Sequence, residues 1–270
     1  MPESAVVQGH DAAIRRVRVP GEGEPVIGGP GRPATDPPDG LDVRVVASRL
    51  PGARPAMLVL PGGGYRHHAA HEAEPVGHWL AGLGVHAVVL RYPVAPARHP
   101  APLEAAVRAL AWIREASGPL QVDPGRVGVL GFSAGGHLAA TLCGQPDPPD
   151  LAVLAYPVIS FLDEPHEGSV AALLGPDADA EARAAHSADR HVSARTPPAF
   201  VWHTADDASV PVGHPLRYCG ALAAHAVPFE LHVFPEGRHG LGLATEAPHV
   251  ARWTSLCETW LRSRGWPTGG

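Results

Sequence analysis

The feature of this chain that most restricts its fold is an alternation of short apolar segments with amphipathic helical segments. Short buried strands that alternate with helices are typical of a mostly parallel sheet covered by helices on both faces. The sequence therefore predicts an α/β fold. The predicted strands are 56–60, 85–90, 126–131, 151–156, 199–204 and 229–234, and the predicted helices are 74–82, 102–116, 134–143, 214–225 and 249–262.

Two segments depart from this alternation. Near the N-terminus, 14–19 and 41–47 alternate weakly and predict antiparallel strands on either side of a Gly-, Pro- and Asp-rich loop, 21–40. Later, 157–198 is too long for an ordinary strand-to-helix connection and contains two short helical patches, 169–174 and 180–186. We expect one domain over residues 1–270, with 1–40 as a strand plus loop and 157–198 as a small cap or lid.

Helix 102–116 shows the helical period most clearly. Its apolar residues recur every three or four positions, which predicts one face packed on the sheet. The residues predicted for that face are Leu103, Val107, Leu110 and Ile113.

The charged residues exclude several functions. The net charge is −6, and no basic stripe is present that could neutralise phosphates, so nucleic-acid binding is not expected. The chain contains neither Lys nor Asn. Without Lys it cannot use a P-loop, kinase chemistry, a Schiff base or a Ser–Lys dyad, and without Asn it has no N-glycosylation site.

The cysteines and the apolar segments bear on the cellular compartment. The three cysteines, Cys143, Cys219 and Cys257, are far apart, which suits a reducing environment. The apolar segments are far shorter than the roughly 18 residues that span a bilayer, and the N-terminus does not resemble a signal peptide. We expect a cytoplasmic protein that does not bind membranes.

Residues 131–135, Gly-Phe-Ser-Ala-Gly, form a G-x-S-x-G pattern between a predicted strand and a predicted helix. A serine on such a sharp turn has strained backbone torsions, and small neighbours are needed to avoid clashes. The turn exposes the Ser133 hydroxyl and directs the Ala134 N–H, at the helix N-terminus, toward a developing negative charge. The pattern predicts a nucleophile at Ser133; a glycine-rich turn without chemistry is the alternative.

Residues 61–65, Pro-Gly-Gly-Gly-Tyr, follow the first core strand. Three glycines allow the backbone to turn and to direct successive N–H groups at one point, as an oxyanion hole requires. A flexible turn is one alternative. A phosphate-binding loop is another, but it lacks the Lys and the helix start that such loops need.

Asp206 and Asp207 follow the predicted strand 199–204, where a carboxylate can orient a histidine, and they compete for that role. His239 stands out among the 17 histidines because it lies in a Gly-flanked loop after the last predicted strand. The order of Ser, Asp and His along the chain is that of α/β-hydrolases. An Asp–Asp pair after a strand can also simply form a turn.

Residues 67–72 contain His67, His68, His71 and Glu72, of which two histidines are four positions apart, as in metal sites. No further ligand cluster is evident in the sequence. We therefore expect these side chains to border the substrate pocket, and we expect no metal or organic cofactor.

These motifs together resemble the α/β-hydrolase superfamily, in particular the acetylxylan esterase-like group, close to the BD-FAE and hormone-sensitive-lipase-like esterases. The resemblance covers roughly residues 40–262 and rests on residues 58–65, 90–96, 131–140, 202–212 and 234–244. It implies an α/β-hydrolase fold and a Ser133–His239–Asp207 triad, with Asp206 left to hold the turn. It further implies oxyanion donors at Gly63, Gly64 and Ala134, and we expect Tyr65 and His68 to contact the substrate.

The sequence thus predicts a serine carboxylesterase that acts on a small ester with a short, acetyl-type acyl group, by resemblance on a carbohydrate alcohol. A peptidase or amide hydrolase of the same fold is the first alternative, although no propeller or large N-terminal domain is present to select peptides. A catalytically silent binding protein is the second. Whether the chain forms a homo-oligomer is left open.

Overall fold

A computed structural model describes residues 14–16, 37–115 and 120–266, the first three by their backbone only. Its centre is an eight-stranded sheet in the order β1-β2-β4-β3-β5-β6-β7-β8. The pairs β1–β2 and β2–β4 are antiparallel, and all other pairs are parallel. The strands are β1 Ile14–Arg16, β2 Val43–Val46, β3 Arg54–Leu60, β4 His86–Leu90, β5 Val122–Phe132, β6 Ala152–Ala155, β7 Ala199–Thr204 and β8 Phe229–Phe234.

Eight α-helices are described, and none of those within the described residues is long and apolar enough to cross a bilayer. All of the predicted core strands and helices are confirmed, with ends that move by a few residues. The last predicted helix is divided at Arg252. The helices are α1 Glu74–Gly82, α2 Ala101–Glu115, α3 Ser133–Cys143, α4 Glu167–Leu173, α5 Ala180–Ala185, α6 Gly213–Ala224, α7 Pro248–Ala251 and α8 Trp253–Ser263.

The sheet separates two hydrophobic cores. Side chains of β3 alternate between them, because Leu58 lies in one core while Met57 and Val59 lie in the other. Helices α2, α3 and α6 cover the first core, and helices α1 and α8 cover the second. The mostly parallel sheet with helices on both faces is therefore confirmed.

The buried face of α2 differs from the predicted one. Val107 is 40% exposed, whereas Ala105, Ala106 and Ala109 are buried with Leu110. The helix places its alanines against the sheet, where their small side chains allow a close approach, and this rotates Val107 outward. A prediction based on large apolar residues alone was wrong at that position.

The two segments outside the alternation are described in part. The backbone of Ile14–Arg16 pairs antiparallel with β2, as predicted, but residues 17–36, most of the predicted loop, lie outside the described residues. Segment 157–198 connects β6 to β7 and contains α4, α5 and a 3-10 turn, Ala188–His191. Its two predicted helical patches are confirmed as α4 and α5.

Candidate active site

Ser133 lies on a turn that its neighbours make unusually tight. Strand β5 ends at Phe132, α3 begins at Ser133, and Ser133 has a φ of 52°. A Cβ at Gly135 would overlap the carbonyl oxygens of Leu60 and Pro61, and one at Gly131 would overlap the carbonyl of Gly135. The G-x-S-x-G spacing is therefore a steric requirement of the nucleophile turn, residues 131–135.

The structure brings Ser133, His239 and Asp207 into one hydrogen-bonded chain. Ser133 Oγ and His239 Nε2 are 2.8 Å apart, and His239 Nδ1 and Asp207 Oδ2 are 2.6 Å apart. The three residues come from loops or turns after β5, β8 and β7, which all end at the same edge of the parallel sheet. This order and spacing match a nucleophile, a base and an orienting carboxylate.

The surroundings of Asp207 keep its carboxylate charged. Burial by itself would raise its pKa, but hydrogen bonds from His239 and from the Val210 and Ser209 N–H groups outweigh burial and lower the pKa below its ordinary value. A second buried imidazole, His203 on β7, has its Nε2 only 3.6 Å from Asp207 Oδ2. Asp207 is therefore poised as an anion facing His239.

Asp206 has a different role from the expected one. The N–H groups of the turn after β7 donate to Asp207, not to Asp206. Asp206 Oδ1 instead accepts a hydrogen bond of 2.7 Å from the Gly237 N–H, in the loop that carries His239. The prediction that Asp206 holds its own turn was wrong, because its side chain faces the neighbouring loop. The two carboxylates together tie the Asp and His loops to each other.

The glycine loop, residues 61–65, presents free N–H groups beside Ser133. Gly63 and Gly64 have φ values of 128° and 63°, and a Cβ at Gly63 would overlap the backbone of His67. Neither N–H has an acceptor among the described residues, and both residues line the same pocket as Ser133. Ala134 is in the first turn of α3, where N–H groups have no intrahelical acceptor. Of the three predicted donors, Gly63 and Gly64 thus line the pocket together with Ser133, and Ala134 follows Ser133 directly in the chain.

Gly62 is the exception among the three glycines because its N–H is already occupied. It donates to Glu72 Oε2 over 2.7 Å, and Glu72 is 1% exposed. Glu72 Oε1 accepts a 2.6 Å hydrogen bond from the Tyr156 hydroxyl, which in turn accepts the Gly242 N–H at 2.8 Å. Glu72 therefore connects the glycine loop to the loop after His239.

Sequence reasoning did not identify the roles of Glu72 and Tyr156. Glu72 was grouped with the pocket border on account of the neighbouring histidines. The sequence contains no signal that singles out Glu72, because it stands in a polar segment between His71 and Glu74; its burial shows that it needs several hydrogen-bond donors. Tyr156 directly follows the buried strand β6 and carries no such signal either; its ring lies 5.1 Å from that of His239.

The structure corrects the two predicted substrate contacts. Tyr65 is 1% exposed, and its hydroxyl is 2.8 Å from His137 Nδ1, so its side chain lies in the core. His68 packs edge-on against Tyr92, with ring centroids 4.7 Å apart, and does not line the pocket. Both side chains turn away because the glycine loop points its backbone, not its side chains, at Ser133.

His67 and His71 do border the pocket, as expected of that cluster. The His71 ring bonds to the Gly240 carbonyl at 2.9 Å, across the pocket from its own loop. Among the described residues, no three His, Cys, Asp or Glu side chains are grouped so that they could hold a metal ion.

A cavity of about 440 Å³ opens over Ser133. Among the described residues, its wall is built from glycine backbone and from side chains that carry a polar group, with Ala69 as the single aliphatic side chain, and most of the exposed wall surface is carbon. Segment 157–198 contributes His166 and Gly168 to this wall. The full set of lining residues is Gly63, Gly64, Arg66, His67, Ala69, His71, Glu72, Ser133, His166, Gly168, Ser209, His239 and Gly240.

Two family models match the chain. The one described as "Prolyl oligopeptidase family" matches residues 107–262, more than half of the chain, and the one described as "BD-FAE" matches residues 41–150. The first match contains all three triad positions, and the second contains the glycine loop and Ser133.

Two curated relatives are much longer than this chain. Endo-1,4-beta-xylanase B of Butyrivibrio fibrisolvens is 34% identical over 211 residues, which are 72% of this chain and 33% of that protein. An acetylxylan esterase of Xylanibacter ruminicola is 29% identical over 218 residues, which are 77% of this chain and 45% of that protein. The chain therefore spans between a third and a half of the length of these relatives.

A solved structure matches over nearly its whole length. The acetyl ester-xyloside bifunctional hydrolase from Caldicellulosiruptor lactoaceticus is 47% identical, with a TM-score of 0.80, and the match covers 87% of this chain and 92% of that one. Together with the sheet order and the two family matches, this likeness shows that the chain belongs to the α/β-hydrolase superfamily.

Proposed function

We propose that this protein is a serine carboxylesterase that hydrolyses short-acyl, acetyl-type esters of polar, carbohydrate-like alcohols. The observation that carries the proposal is the Ser133–His239–Asp207 chain, at 2.8 and 2.6 Å, beside the Gly63 and Gly64 N–H groups, for which the described residues supply no acceptor. The similarity to an acetylxylan esterase and to an acetyl ester-xyloside hydrolase supports the class of substrate.

The geometry supports an acyl-enzyme mechanism. Ser133 Oγ attacks the ester carbonyl while His239 Nε2 accepts its proton, and Asp207 stabilises the imidazolium that forms. The N–H groups of Gly63, Gly64 and Ala134 hold the oxyanion. His239 then protonates the leaving alcohol. A water next gives a proton to His239 and attacks the acyl carbonyl, and His239 returns that proton to Ser133 Oγ as the bond to the acyl group breaks and the acid leaves.

The pocket wall supports a short acyl group. A long acyl chain needs an apolar slot, in which each buried methylene gains about 0.8 kcal/mol. Ala69 is the single aliphatic side chain among the described residues of the wall, so we expect an acyl group longer than acetyl to gain little. The imidazoles and the arginine of the wall suit the hydroxyl groups of a sugar.

The test compares wild type with Ser133→Ala on p-nitrophenyl acetate, butyrate and octanoate. We expect kcat/KM to fall from acetyl to octanoyl, and the Ser133→Ala substitution to reduce it by a factor of about 10³ or more, because the triad acts as a unit. A fluorophosphonate should label wild type at Ser133. A rising acyl series would contradict the short-acyl proposal.

The same assay, extended to amide substrates, tests the two alternatives. The match to the prolyl oligopeptidase family model makes an amide substrate the second candidate. Aminoacyl p-nitroanilides hydrolysed faster than the acetyl ester would favour a peptidase. No hydrolysis of any substrate, together with no fluorophosphonate label, would favour a silent binding protein.

A further inference from the structure

Arg66 is a cation in the pocket wall that no described residue pairs with. It follows the glycine loop, and its backbone N–H donates to the Gly63 carbonyl at 3.0 Å, which fixes it next to the oxyanion donors. Its exposed side chain lines the same cavity as Ser133 and has no hydrogen-bond or ion-pair partner among the described residues. By contrast, Arg238, next to His239, is paired with Glu246 and does not line the cavity.

His166 places a second donor in the same wall. Its Nδ1 accepts the Ser169 N–H at 3.2 Å and lies 2.8 Å from the Ser169 hydroxyl. The proton of the neutral ring is therefore on Nε2, which has no partner among the described residues. Burial, followed by the nearby charges of His239 and Arg66, lowers the pKa of His166, so that the neutral ring with its Nε2–H prevails at neutral pH.

The acidic groups near the cavity are already engaged. Glu72 lines the wall, but its two oxygens accept the Gly62 N–H and the Tyr156 hydroxyl. Asp207 is engaged by His239 and by two backbone N–H groups. The positive charge of Arg66 therefore has no counter-charge from the described part of the protein, and a guanidinium matches a carboxylate through two parallel hydrogen bonds.

We propose that Arg66 and the His166 Nε2–H form a subsite for a carboxylate on the alcohol part of the ester, so that the substrate is an acetylated acidic sugar such as a uronic acid. This inference rests on the proposed function, since an acetyl group itself has no place for a carboxylate. The charge must then lie on the alcohol that leaves when Ser133 is acylated.

The test measures acetate release from mono-acetylated methyl glucuronoside and from the matched methyl glucoside. We expect kcat/KM to favour the acidic sugar about tenfold, the range of hydrogen bonds to charged groups. Arg66→Gln should bring that ratio close to one. Arg66→Lys should leave an intermediate ratio, because the charge remains while the pair of parallel hydrogen bonds to the carboxylate is lost. The preference should also weaken in 1 M salt, where the screening length is about 3 Å and exposed charges farther apart than this interact little.

Arg252→Gln is the matched control, because Arg252 is an exposed arginine that does not line the cavity. Its ratio should equal that of wild type. Equal kcat/KM for the two sugars in wild type, or a ratio that Arg66→Gln leaves unchanged, would overturn the subsite.

A binding measurement separates this inference from the proposed function. Ser133→Ala is titrated with methyl glucuronoside and methyl glucoside, with and without the Arg66→Gln substitution. Tighter binding of the acidic sugar that depends on Arg66 supports the subsite even if no ester is hydrolysed. Hydrolysis of neutral acetyl esters without any such preference leaves the esterase standing and rejects the subsite.

Discussion

Two buried carboxylates, Asp207 and Glu72, hold opposite sides of the candidate site by similar contacts. Asp207 accepts two backbone N–H groups and the His239 ring, and Glu72 accepts one backbone N–H and the Tyr156 hydroxyl. Asp207 faces a ring that gains a proton during the reaction, whereas Glu72 holds a backbone whose charge does not change. Loss of Asp207 should therefore nearly stop the reaction, and loss of Glu72 should only weaken it.

The largest effect is expected at Asp207. In Asp207→Asn the amide nitrogen would donate to His239 Nδ1, so the ring proton would lie on Nε2. A protonated Nε2 cannot accept the proton of Ser133 Oγ. We expect kcat to fall by about 10³ to 10⁴. Asp206→Asn removes only the negative charge of the group that accepts the Gly237 N–H, so kcat should fall by less than about tenfold. Steady-state kinetics on p-nitrophenyl acetate check the pair, and an inactive Asp206 variant beside an active Asp207 variant would reverse the assignment.

Glu72→Gln tests the other side of the site. The amide has one acceptor oxygen for two donors, so either the Gly62 N–H or the Tyr156 hydroxyl loses its partner. Removal of an oxyanion donor lowers kcat by about 10²–10³. Because Glu72 acts only through the glycine loop, we expect Glu72→Gln to lower kcat by about 10- to 100-fold. KM should change little, which separates loss of oxyanion stabilisation from loss of substrate binding.

Glu74→Gln is the matched control for Glu72. Glu74 lies two residues away on α1 and pairs with Arg44 at 3.0 Å near the surface. Its substitution should leave kcat within about twofold, since exposed ion pairs contribute little. Equal effects at Glu72 and Glu74 would mean that the buried carboxylate does not position the glycine loop.

A smaller effect is expected for Tyr156→Phe. The substitution keeps the ring beside His239 but removes the hydroxyl that joins Glu72 to Gly242. We expect kcat to fall by roughly three- to tenfold, the size of one or two hydrogen bonds. The double variant with Glu72→Gln should lose less than the product of the two single losses, because both act on one network. Multiplicative losses would show that the two residues act separately.

The prediction with the smallest effect on catalysis at neutral pH concerns the stability of the fold and two buried histidines, one on each side of the site. His137 bonds to Tyr65 behind the glycine loop, and His203 lies beside Asp207. Burial lowers the pKa of each to about 4, against about 6.5 in an unfolded chain. Below pH 6.5 the unfolded chain therefore binds protons at positions where the folded chain does not, and this binding favours unfolding.

Stability should thus be full above about pH 6.5 and decrease as the pH falls toward 4, by about 1.4 kcal/mol per pH unit for each histidine. Urea unfolding at pH 7, 6 and 5 measures this slope. His203→Gln, whose amide can still donate to the Val210 carbonyl, should give a shallower slope. An unchanged slope would show that His203 does not contribute.

Prediction from the sequence succeeded where the determinants are local. Strand and helix periods, and the small residues around Ser133, act within a few positions, so β3 to β8, α3 and the nucleophile turn could be identified. The face of α2 could not, because alanine side chains show their packing only against a sheet. Nor could the inward direction of Tyr65, which depends on a hydrogen bond to His137, 72 positions away.

By itself the sequence determined the fold class, and it pointed to three residues that the structure joins by hydrogen bonds, Ser133, His239 and Asp207, and to the glycines that can bend beside them, because torsions and sterics at the nucleophile turn and the glycine loop admit few residue types. The tertiary structure decided which groups meet across the carboxyl edge of the sheet. It assigned Asp206 to the loop of His239, occupied the Gly62 N–H with Glu72, and placed Arg66 in the pocket wall without a counter-charge from the described part of the chain. Hydrogen bonds between distant segments have no periodicity or spacing, so only the folded chain specifies them.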